Sequence, residues 1–292
     1  MFKPYPLLHR KSLHLINCLS NMEHLAPGLH DITAERYFAA EGVSCGMLNI
    51  LRDKTPMHLR AWLQGEMPIE SEALRFGIVA HYAILEGNKY KKLFYQRPEG
   101  MKLTTKEGKA WLEDHSDKPN VSWEDGQHLL GMVEAVRRHP FAKRVLSSGK
   151  PEQSLFAIDD QDTLRKSRLD TLTDGNVLPD LKTCMSASND FFERQILRLS
   201  YHVRAAYYLD NCRLLNMDKE HFMFILVEKT PPYAVRCLRM DGDCVTWGRK
   251  LYQADLQTWR QCLANDEWPG YEDSYSDVAL PQWEMRRIYE LI

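Results

Sequence analysis

The spacing of apolar residues predicts mainly helices before residue 148. After Ser44, the residues Met47, Leu48 and Leu51 recur at three to four positions, and the same spacing resumes after Pro56. Ser44 is a candidate N-cap because its hydroxyl can accept a backbone N–H of the first turn. The further helices predicted in this half run over about 71–85, 106–115 and 122–147.

The period changes to two after residue 151, which predicts strands. Apolar and polar side chains alternate from Glu152 to Ile158, and further strands are predicted over 163–173, up to Thr183, and over 221–228 and 233–239. Helices are predicted over about 188–197, 200–215 and 243–264. This order indicates an α/β fold, a mixed α+β sheet with helices on its faces and an N-terminal helical half. We expect one domain over residues 31–292, preceded by an appendage over residues 1–30.

The stretch from Arg168 to Lys182 is predicted to form a hairpin that turns at Asp174-Gly175-Asn176. An Asp-Gly pair between apolar runs is typical of tight hairpins, because such turns need residues that tolerate positive φ. Side chains alternate along the second strand, so Asp180 and Lys182 share one face and Leu181 points to the other. With Asp170 near the end of the first strand, two carboxylates and an ammonium are expected to converge.

This convergence suggests metal-assisted phosphodiester cleavage. Two carboxylates and a backbone carbonyl are hard oxygen ligands suited to Mg²⁺, and a nearby lysine can orient water or stabilise a phosphate oxyanion. The competing interpretation is an ordinary surface hairpin with a salt bridge between Asp180 and Lys182. A third strand carrying Glu152 would extend the acidic cluster, which Lys166 and Arg168 could also neutralise.

Composition describes a soluble globular protein without an overall nucleic-acid signature. The 292 residues carry a formal net charge of -2, so a DNA site would have to be local. No signal-peptide pattern and no run of eighteen apolar residues is present, from which we expect a cytoplasmic protein with no membrane partner. The seven cysteines form no CxxC pair and fit reduced thiols.

Two helices carry further candidate residues. Gly77 and His81 stand four apart and share a helix face, and a glycine inside a helix suggests a close approach to the backbone there. Tyr201, Arg204 and Tyr208 share a face of a later helix, where they could follow a phosphate backbone or form a solvated stripe.

Several motifs together resemble the RecE-like (exonuclease VIII) branch of the PD-(D/E)XK nucleases. They stand in the order and approximate spacing of that family, and the resemblance covers roughly residues 31–290. The motifs are Gly77-Ile-Val-Ala-His81, Glu152 at the start of a strand, Arg168-Leu-Asp170, Asp180-Leu-Lys182-Thr183, Tyr201-His-Val-Arg-Ala-Ala-Tyr-Tyr208 and Trp268-Pro-Gly-Tyr271.

The resemblance implies a restriction-endonuclease-like core and a metal-dependent nuclease. Such enzymes use Mg²⁺ or Mn²⁺ to degrade linear double-stranded DNA from 5′ ends, leaving 3′ single-stranded tails for recombination. Lys182 would orient the attacking water, and Glu152 would assist at the metal or position the nucleophile. The metal ligands implied are His81, Asp170, Asp180 and the carbonyl of Leu181.

The resemblance also implies partners. The candidate DNA-binding residues are Arg168, Tyr201, Arg204 and Tyr208. Double-stranded DNA ends are the expected substrate, and a RecT-like single-strand annealing protein is the expected partner in recombination. A homo-oligomeric ring around the duplex would explain how a mildly acidic chain stays on DNA.

One position departs from the family, which usually has Gln where this chain has Arg204. Arginine can contact phosphate bidentately, or it can pair with Glu152 or another site carboxylate and change metal affinity. Alternative functions stay open here: an endonuclease or single-strand-preferring nuclease of the same superfamily, or a catalytically silent DNA-binding protein.

Overall fold

The computed structural model describes residues 23–67 and 72–292, which form twelve helices and nine strands. The helices are α1 Ala34–Ala39, α2 Cys45–Asp53, α3 Pro56–Leu63, α4 Glu72–Leu85, α5 Gly87–Leu93, α6 Lys106–Asp114, α7 Trp123–Arg138, α8 Pro140–Ser147, α9 Asn189–Arg198, α10 Tyr201–Leu214, α11 Gly242–Asn265 and α12 Gln282–Leu291. The strands are β1 Gly28–His30, β2 Val43–Ser44, β3 Tyr95–Gln96, β4 Asn120–Val121, β5 Gly149–Ile158, β6 Leu164–Thr173, β7 Val177–Cys184, β8 His221–Glu228 and β9 Val235–Arg239. Within the described ranges, no helix is both long and apolar enough to span a bilayer.

Mixed sheets form the centre of the fold, as the sequence predicts. β5 and β6 pair antiparallel, with β1 antiparallel at the outer edge of β5 and β2 parallel to β6. The second sheet has the order β7-β8-β9, in which β7 and β8 are parallel and β9 is antiparallel to β8. β3 and β4 form a separate two-stranded parallel sheet.

Helices cover both faces of the β7-β8-β9 sheet, which confirms the predicted layering. Leu178 and Phe224 point into a core built with α2, α3, α9, α10 and α11. Leu181 and Ile225 point the other way, into a core built with α4, α7 and α8. The alternation of strand side chains therefore places Asp180 on the face opposite to Leu181.

The hairpin predicted over Arg168–Lys182 is wrong in its pairing. β7 pairs with β8, and none of the three residues at the turn 174–176 has a positive φ. The buried Lys219 closes the turn instead, by donating to the carbonyls of Thr173 (2.5 Å) and Gly175. The Lys219 ammonium thus takes the place of the backbone hydrogen bonds that would join the two strands of a tight hairpin. β6 and β7 belong to different sheets.

The single helix predicted over 122–147 is two helices. Pro140 has no N–H and its ring excludes helical geometry at the preceding residue, so α7 ends before His139. His139 is extended and starts α8, accepting a hydrogen bond from the Ala142 N–H at 3.2 Å.

Most of the predicted appendage, residues 1–22, lies outside the described residues. The described remainder contacts the domain: β1 pairs with β5, and Leu25 packs with Tyr37 and Phe156. The division of the chain at residue 30 stays a prediction.

Candidate metal centre and active site

Asp170 joins the two sheets at the candidate site. Its Oδ2 accepts a hydrogen bond from the backbone N–H of Leu181 at 2.6 Å, so a β6 side chain bonds directly to the β7 backbone. The carboxylate is mostly buried. This bond fixes the position of Asp170 beside Asp180 and Lys182, in the manner the sequence predicts for two neighbouring strands.

His81 reaches the same point from α4. Its Nε2 lies 2.9 Å from the carbonyl oxygen of Leu181. A carbonyl can only accept, so this nitrogen donates, and in the neutral ring the lone pair is on Nδ1. Nδ1 faces two carboxylates, at 3.7 Å from Asp170 Oδ2 and 4.0 Å from Glu152 Oε1. The geometry therefore makes Leu181 the acceptor that orients His81, whereas the sequence predicts its carbonyl as a metal ligand.

His81, Glu152 and Asp170 together fit a divalent cation. Their ligand atoms all lie within 4.8 Å of one another. Ligands held at ~2.1 Å by an octahedral ion stand roughly 3 Å apart when adjacent and about 4.2 Å apart when opposite. The two separations from His81 Nδ1 lie within that span. The two carboxylates suit Mg²⁺ or Mn²⁺, and an imidazole is typically a ligand of transition metals, so these residues can hold a divalent cation. Asp180, also predicted as a ligand, is not in this group.

Glu152 has an unusual backbone. It lies in β5 between Pro151 and Gln153, which pair with Thr171 and Leu169, and its φ is 53°. This left-handed conformation costs a residue with a side chain of the order of 1–3 kcal/mol, and such strain concentrates at functional sites. The conformation accompanies a carboxylate that faces Asp170 and His81 from the neighbouring strand.

Arg168 holds Glu152 in place. Its Nε donates to Glu152 Oε2 at 2.7 Å, and its Nη1 donates to Ser154 Oγ and to the carbonyl of Ile32. Burial raises the pKa of Glu152 and the neighbouring Asp170 adds to the rise, while Arg168 and His81 oppose it. The predicted DNA contact of Arg168 has no support in this geometry, because the guanidinium is mostly buried and committed to these acceptors. Lys166, the other predicted neutralising group, instead donates to carbonyls of Tyr37 and Ala40.

Asp180 is the least satisfied group of the site. Its side chain is 2% exposed, and neither carboxylate oxygen accepts a hydrogen bond. It has two ion-pair partners: Lys182 Nζ contacts Oδ2, and Arg204 Nη1 lies 3.7 Å from Oδ1. A buried carboxylate without hydrogen bonds is costly unless a cation completes its environment, which favours a role in binding a metal or substrate.

Aromatic residues of α10 contact both cations that pair with Asp180. Lys182 Nζ lies 5.5 Å from the ring of Tyr201, which packs against Phe224. Arg204 lies 5.7 Å from the ring of Tyr208, which is buried. Of the predicted DNA-binding residues, Arg168 and Tyr208 are mostly buried, whereas the side chain of Arg204 is 32% exposed. Tyr208 is therefore placed to position Arg204 rather than to touch DNA, and a DNA contact of the packed Tyr201 stays a prediction.

Gly77 leaves open space one turn from His81. A Cβ added at Gly77 would meet no protein atom within 4 Å. The sequence predicts that some group lies close to the backbone at Gly77, and no atom of the described residues does so. The space is available to a bound molecule.

The strained backbone of Glu152 has no signal in the sequence, because glutamate is not typical of left-handed backbone. The contact between Arg204 and Asp180 is one case of the predicted alternative in which Arg204 pairs with a site carboxylate. The Arg168–Glu152 pair was predictable as one member of the proposed neutralising network.

Comparisons with known proteins show the family and the fold of the chain. The family described as "PDDEXK-like domain of unknown function (DUF3799)" matches residues 44–276. No curated protein matches the chain. A crystal structure of a protein named "Putative exonuclease" from Eubacterium rectale is similar, with a TM-score of 0.60 and 15% identity over 88% of this chain and 98% of that one. The likeness shows the fold, and the family match supports a nuclease that uses a divalent metal. The chain belongs to the PDDEXK-like family.

Proposed function

We propose that the protein is a Mg²⁺-dependent exodeoxyribonuclease, with Mn²⁺ as an alternative cofactor. The observation that carries the proposal is the convergence of His81, Glu152 and Asp170 beside the buried pair of Asp180 and Lys182. Two carboxylates, an imidazole and a further carboxylate paired with lysine provide both a cation site and a group that handles water or phosphate.

The residues of the site have separable roles in this proposal. His81, Glu152 and Asp170 would hold the cation, with Asp180 completing the site from β7. When bound, a divalent cation neutralises charge on a phosphate and lowers the pKa of coordinated water. Lys182 Nζ, which lies 3.2 Å from the Leu181 carbonyl, would orient the attacking water or donate to a phosphate oxygen. Arg204, whose side chain is more exposed than that of Asp180, would contact the DNA backbone.

The finer assignment is degradation of linear duplex DNA from 5′ ends, leaving 3′ single-stranded tails for recombination. The order of the sequence motifs, with their resemblance to the RecE-like branch, supports it. The fold shared with the protein named an exonuclease also supports it. The expected partners follow from this activity: DNA ends, a RecT-like annealing protein that takes the single-stranded product, and further copies of the chain in a ring. An enzyme that acts on DNA ends before recombination is expected in the cytoplasm.

End-labelled DNA tests the proposal. Linear duplex DNA labelled separately at the 5′ and the 3′ ends is incubated with wild type and with Lys182→Met, in Mg²⁺ and in EDTA. We expect early release of the 5′ label in Mg²⁺ alone, at a rate that Lys182→Met lowers by a hundredfold or more, since one lost stabilising donor typically costs ~10²–10³ in kcat. Lys229→Met, which removes a lysine outside the metal cluster, is the matched control for loss of one positive charge.

Other outcomes separate the alternatives. Cleavage of circular or single-stranded DNA with linear duplex left intact would retain the metal-dependent chemistry and overturn the exonuclease assignment. DNA binding without cleavage, in Mg²⁺ and in Mn²⁺, would establish a silent binding protein.

A further inference from the structure

We propose that Arg204 competes with the metal for Asp180, and that its release when metal binds couples metal binding to DNA binding. The inference rests on the proposed function, because it assumes that Asp180 faces the cation and that Arg204 faces the DNA. It adds a regulatory role for one arginine within that site.

The two oxygens of Asp180 are held differently. Lys182 contacts Oδ2, and the same ammonium also donates to the Leu181 carbonyl and lies over Tyr201, so three contacts fix it. Oδ1 faces only Arg204 Nη1 at 3.7 Å, which is too far for a hydrogen bond. Oδ1 is thus a buried carboxylate oxygen that no hydrogen bond from the described residues fixes, and the guanidinium facing it is loosely placed.

A guanidinium at that distance acts on a metal in two ways. It neutralises the charge that would attract the cation, and it repels the cation directly. Arg204 therefore adds a second positive charge beside Asp180, whose charge Lys182 already opposes at Oδ2. A metal that approaches Oδ1 has to displace the guanidinium.

The Arg204 side chain can rotate away from Asp180 toward solvent. The side chain is 32% exposed, whereas Asp180 is 2% exposed, so rotation away from Oδ1 leads toward solvent. Freed from Asp180, a guanidinium presents its fork of donors to a phosphate. Tyr208, below the guanidinium, keeps it near the site in either position.

Coupling follows from these two positions. Metal favours the released position because it takes Oδ1, and DNA favours it because the guanidinium is then free for a phosphate. Two ligands that favour the same state strengthen each other by the same factor. The site should therefore bind metal more tightly when DNA is present.

Metal affinity without DNA is the first test. Mn²⁺ is titrated calorimetrically into metal-free wild type, Arg204→Gln, Arg204→Lys and Arg213→Gln. We expect Arg204→Gln to bind Mn²⁺ about tenfold more tightly, which corresponds to ~1.4 kcal/mol, and Arg204→Lys to stay near wild type because it keeps the charge. Arg213, which lies on the same helix and pairs with Asp210, provides the control: Arg213→Gln should leave Mn²⁺ affinity unchanged.

DNA affinity is the second test. Binding of a labelled duplex is measured by fluorescence anisotropy in EDTA and in Ca²⁺, which takes oxygen ligands like those of Mg²⁺. We expect the factor by which Ca²⁺ raises DNA affinity to be smaller in Arg204→Gln than in wild type and Arg213→Gln. Unchanged or weaker Mn²⁺ binding by Arg204→Gln would overturn the proposal, and so would an unchanged Ca²⁺ factor.

Failure of this inference differs from failure of the proposed function. If wild type cleaves DNA and Arg204→Gln binds Mn²⁺ as wild type does, the nuclease assignment holds and Arg204 is a plain DNA contact. If no DNA is cleaved and the Mn²⁺ affinities still follow the expected order, the competition holds and the nuclease assignment fails.

Discussion

Two buried aspartates, one on the helix α10 and one facing it, differ in their hydrogen bonds. Asp210, on α10 itself, accepts hydrogen bonds from Arg249 at 2.6 and 2.8 Å, from Tyr252 at 2.5 Å and from Arg213 at 2.9 Å. Asp180, which faces the start of α10 from β7, accepts none. A buried carboxylate whose oxygens accept several hydrogen bonds rigidifies the core, whereas one whose oxygens accept none can still bind a ligand. The same helix therefore carries one carboxylate that serves stability and faces another that serves binding.

Replacement of Asp180 should remove activity far beyond any loss of folded protein. Asp180→Asn keeps the size of the side chain and removes its charge. We expect cleavage of linear DNA per folded molecule to fall by more than about a hundredfold, because loss of a partner that merely supports a metal ligand already costs ~10–100-fold. The unfolding free energy should also fall, by roughly 3 kcal/mol, because the mostly buried Lys182 loses its ion-pair partner. Initial rates of label release and chemical denaturation measure the two effects.

Asp160→Asn, at an exposed aspartate outside the site, is the control for loss of one negative charge. Retention of more than a tenth of the activity by Asp180→Asn would show that Asp180 resembles Asp210 in function, and the contrast between the two carboxylates would fail.

Replacement of Asp210 should lower stability and leave activity per folded molecule unchanged. Asp210→Asn breaks a buried charge network, and loss of one partner of such a pair costs roughly 3–5 kcal/mol. We expect about 3 kcal/mol, the low end of that range, because Arg249 and Arg213 are partly exposed and regain water. Urea denaturation measures the loss, and activity per folded molecule should stay at the wild-type level. A drop in activity larger than the unfolded fraction explains would mean that α10 transmits strain to Arg204.

The contrast extends to pH, with opposite signs for two carboxylates. Burial raises the pKa of Glu152, and Asp170 raises it further. Burial would also raise the pKa of Asp210, but the hydrogen bonds from Arg249 and Tyr252 outweigh it, and that pKa is lowered. Glu152 therefore lowers stability as pH rises from its unfolded pKa through the raised one. Asp210 adds stability above its unfolded pKa and loses it as pH falls through the lowered one.

Thermal unfolding of variants between pH 3 and 7 tests these signs. Relative to wild type, Glu152→Gln should gain stability as pH rises above ~4.3, and Asp210→Asn should lose stability as pH rises toward ~3.9. Parallel pH profiles for the two variants would contradict the assigned environments. In the same range, protons on Glu152 should weaken Mn²⁺ binding by wild type more than by Glu152→Gln.

Local patterns in the sequence predicted much of this fold. The N-cap of α2, the strands β5 and β8 and the helix α11 follow from spacing and capping chemistry, which act over a few residues. The break at Pro140 was also predictable, because the proline itself carries the signal. The elements α1, α5, α12 and β1–β4 were not predicted. β1–β4 have only two or three residues each, which is too few to show a period.

Long-range contacts set the limit for the site. The sequence predicts that His81, Asp170, Asp180 and Lys182 converge. The structure brings His81 and Asp170 together with Glu152 and pairs Lys182 with Asp180, and the roles of these residues stay predictions. The sequence does not predict that Lys219 closes the turn between β6 and β7, because that ammonium comes from the far side of α10. The turn Asp174-Gly175-Asn176 has the composition of a tight hairpin, and a tertiary hydrogen bond overrides that preference.

Two helical glycines repeat the contrast between a satisfied and an open region, and they support the prediction with the smallest expected effect. A Cβ at Gly131 of α7 would lie 2.2 Å from the ring of Tyr233, so the chain itself fills that space. A Cβ at Gly77 of α4 would have no atom of residues 23–67 or 72–292 within 4 Å. Gly77→Ala should raise the unfolding free energy by up to about 1 kcal/mol, because alanine costs less entropy in a helix.

If DNA lies beside Gly77, the same methyl group should raise KM severalfold while Mn²⁺ affinity stays unchanged. Gly46→Ala in α2, where an added Cβ would make only an ordinary contact with Ser44 Oγ at 3.8 Å, controls for the gain in helix stability. A stabilised Gly77→Ala with wild-type KM would mean that this open space is plain solvent, and the substrate path would then have to follow the Arg204 side of the site.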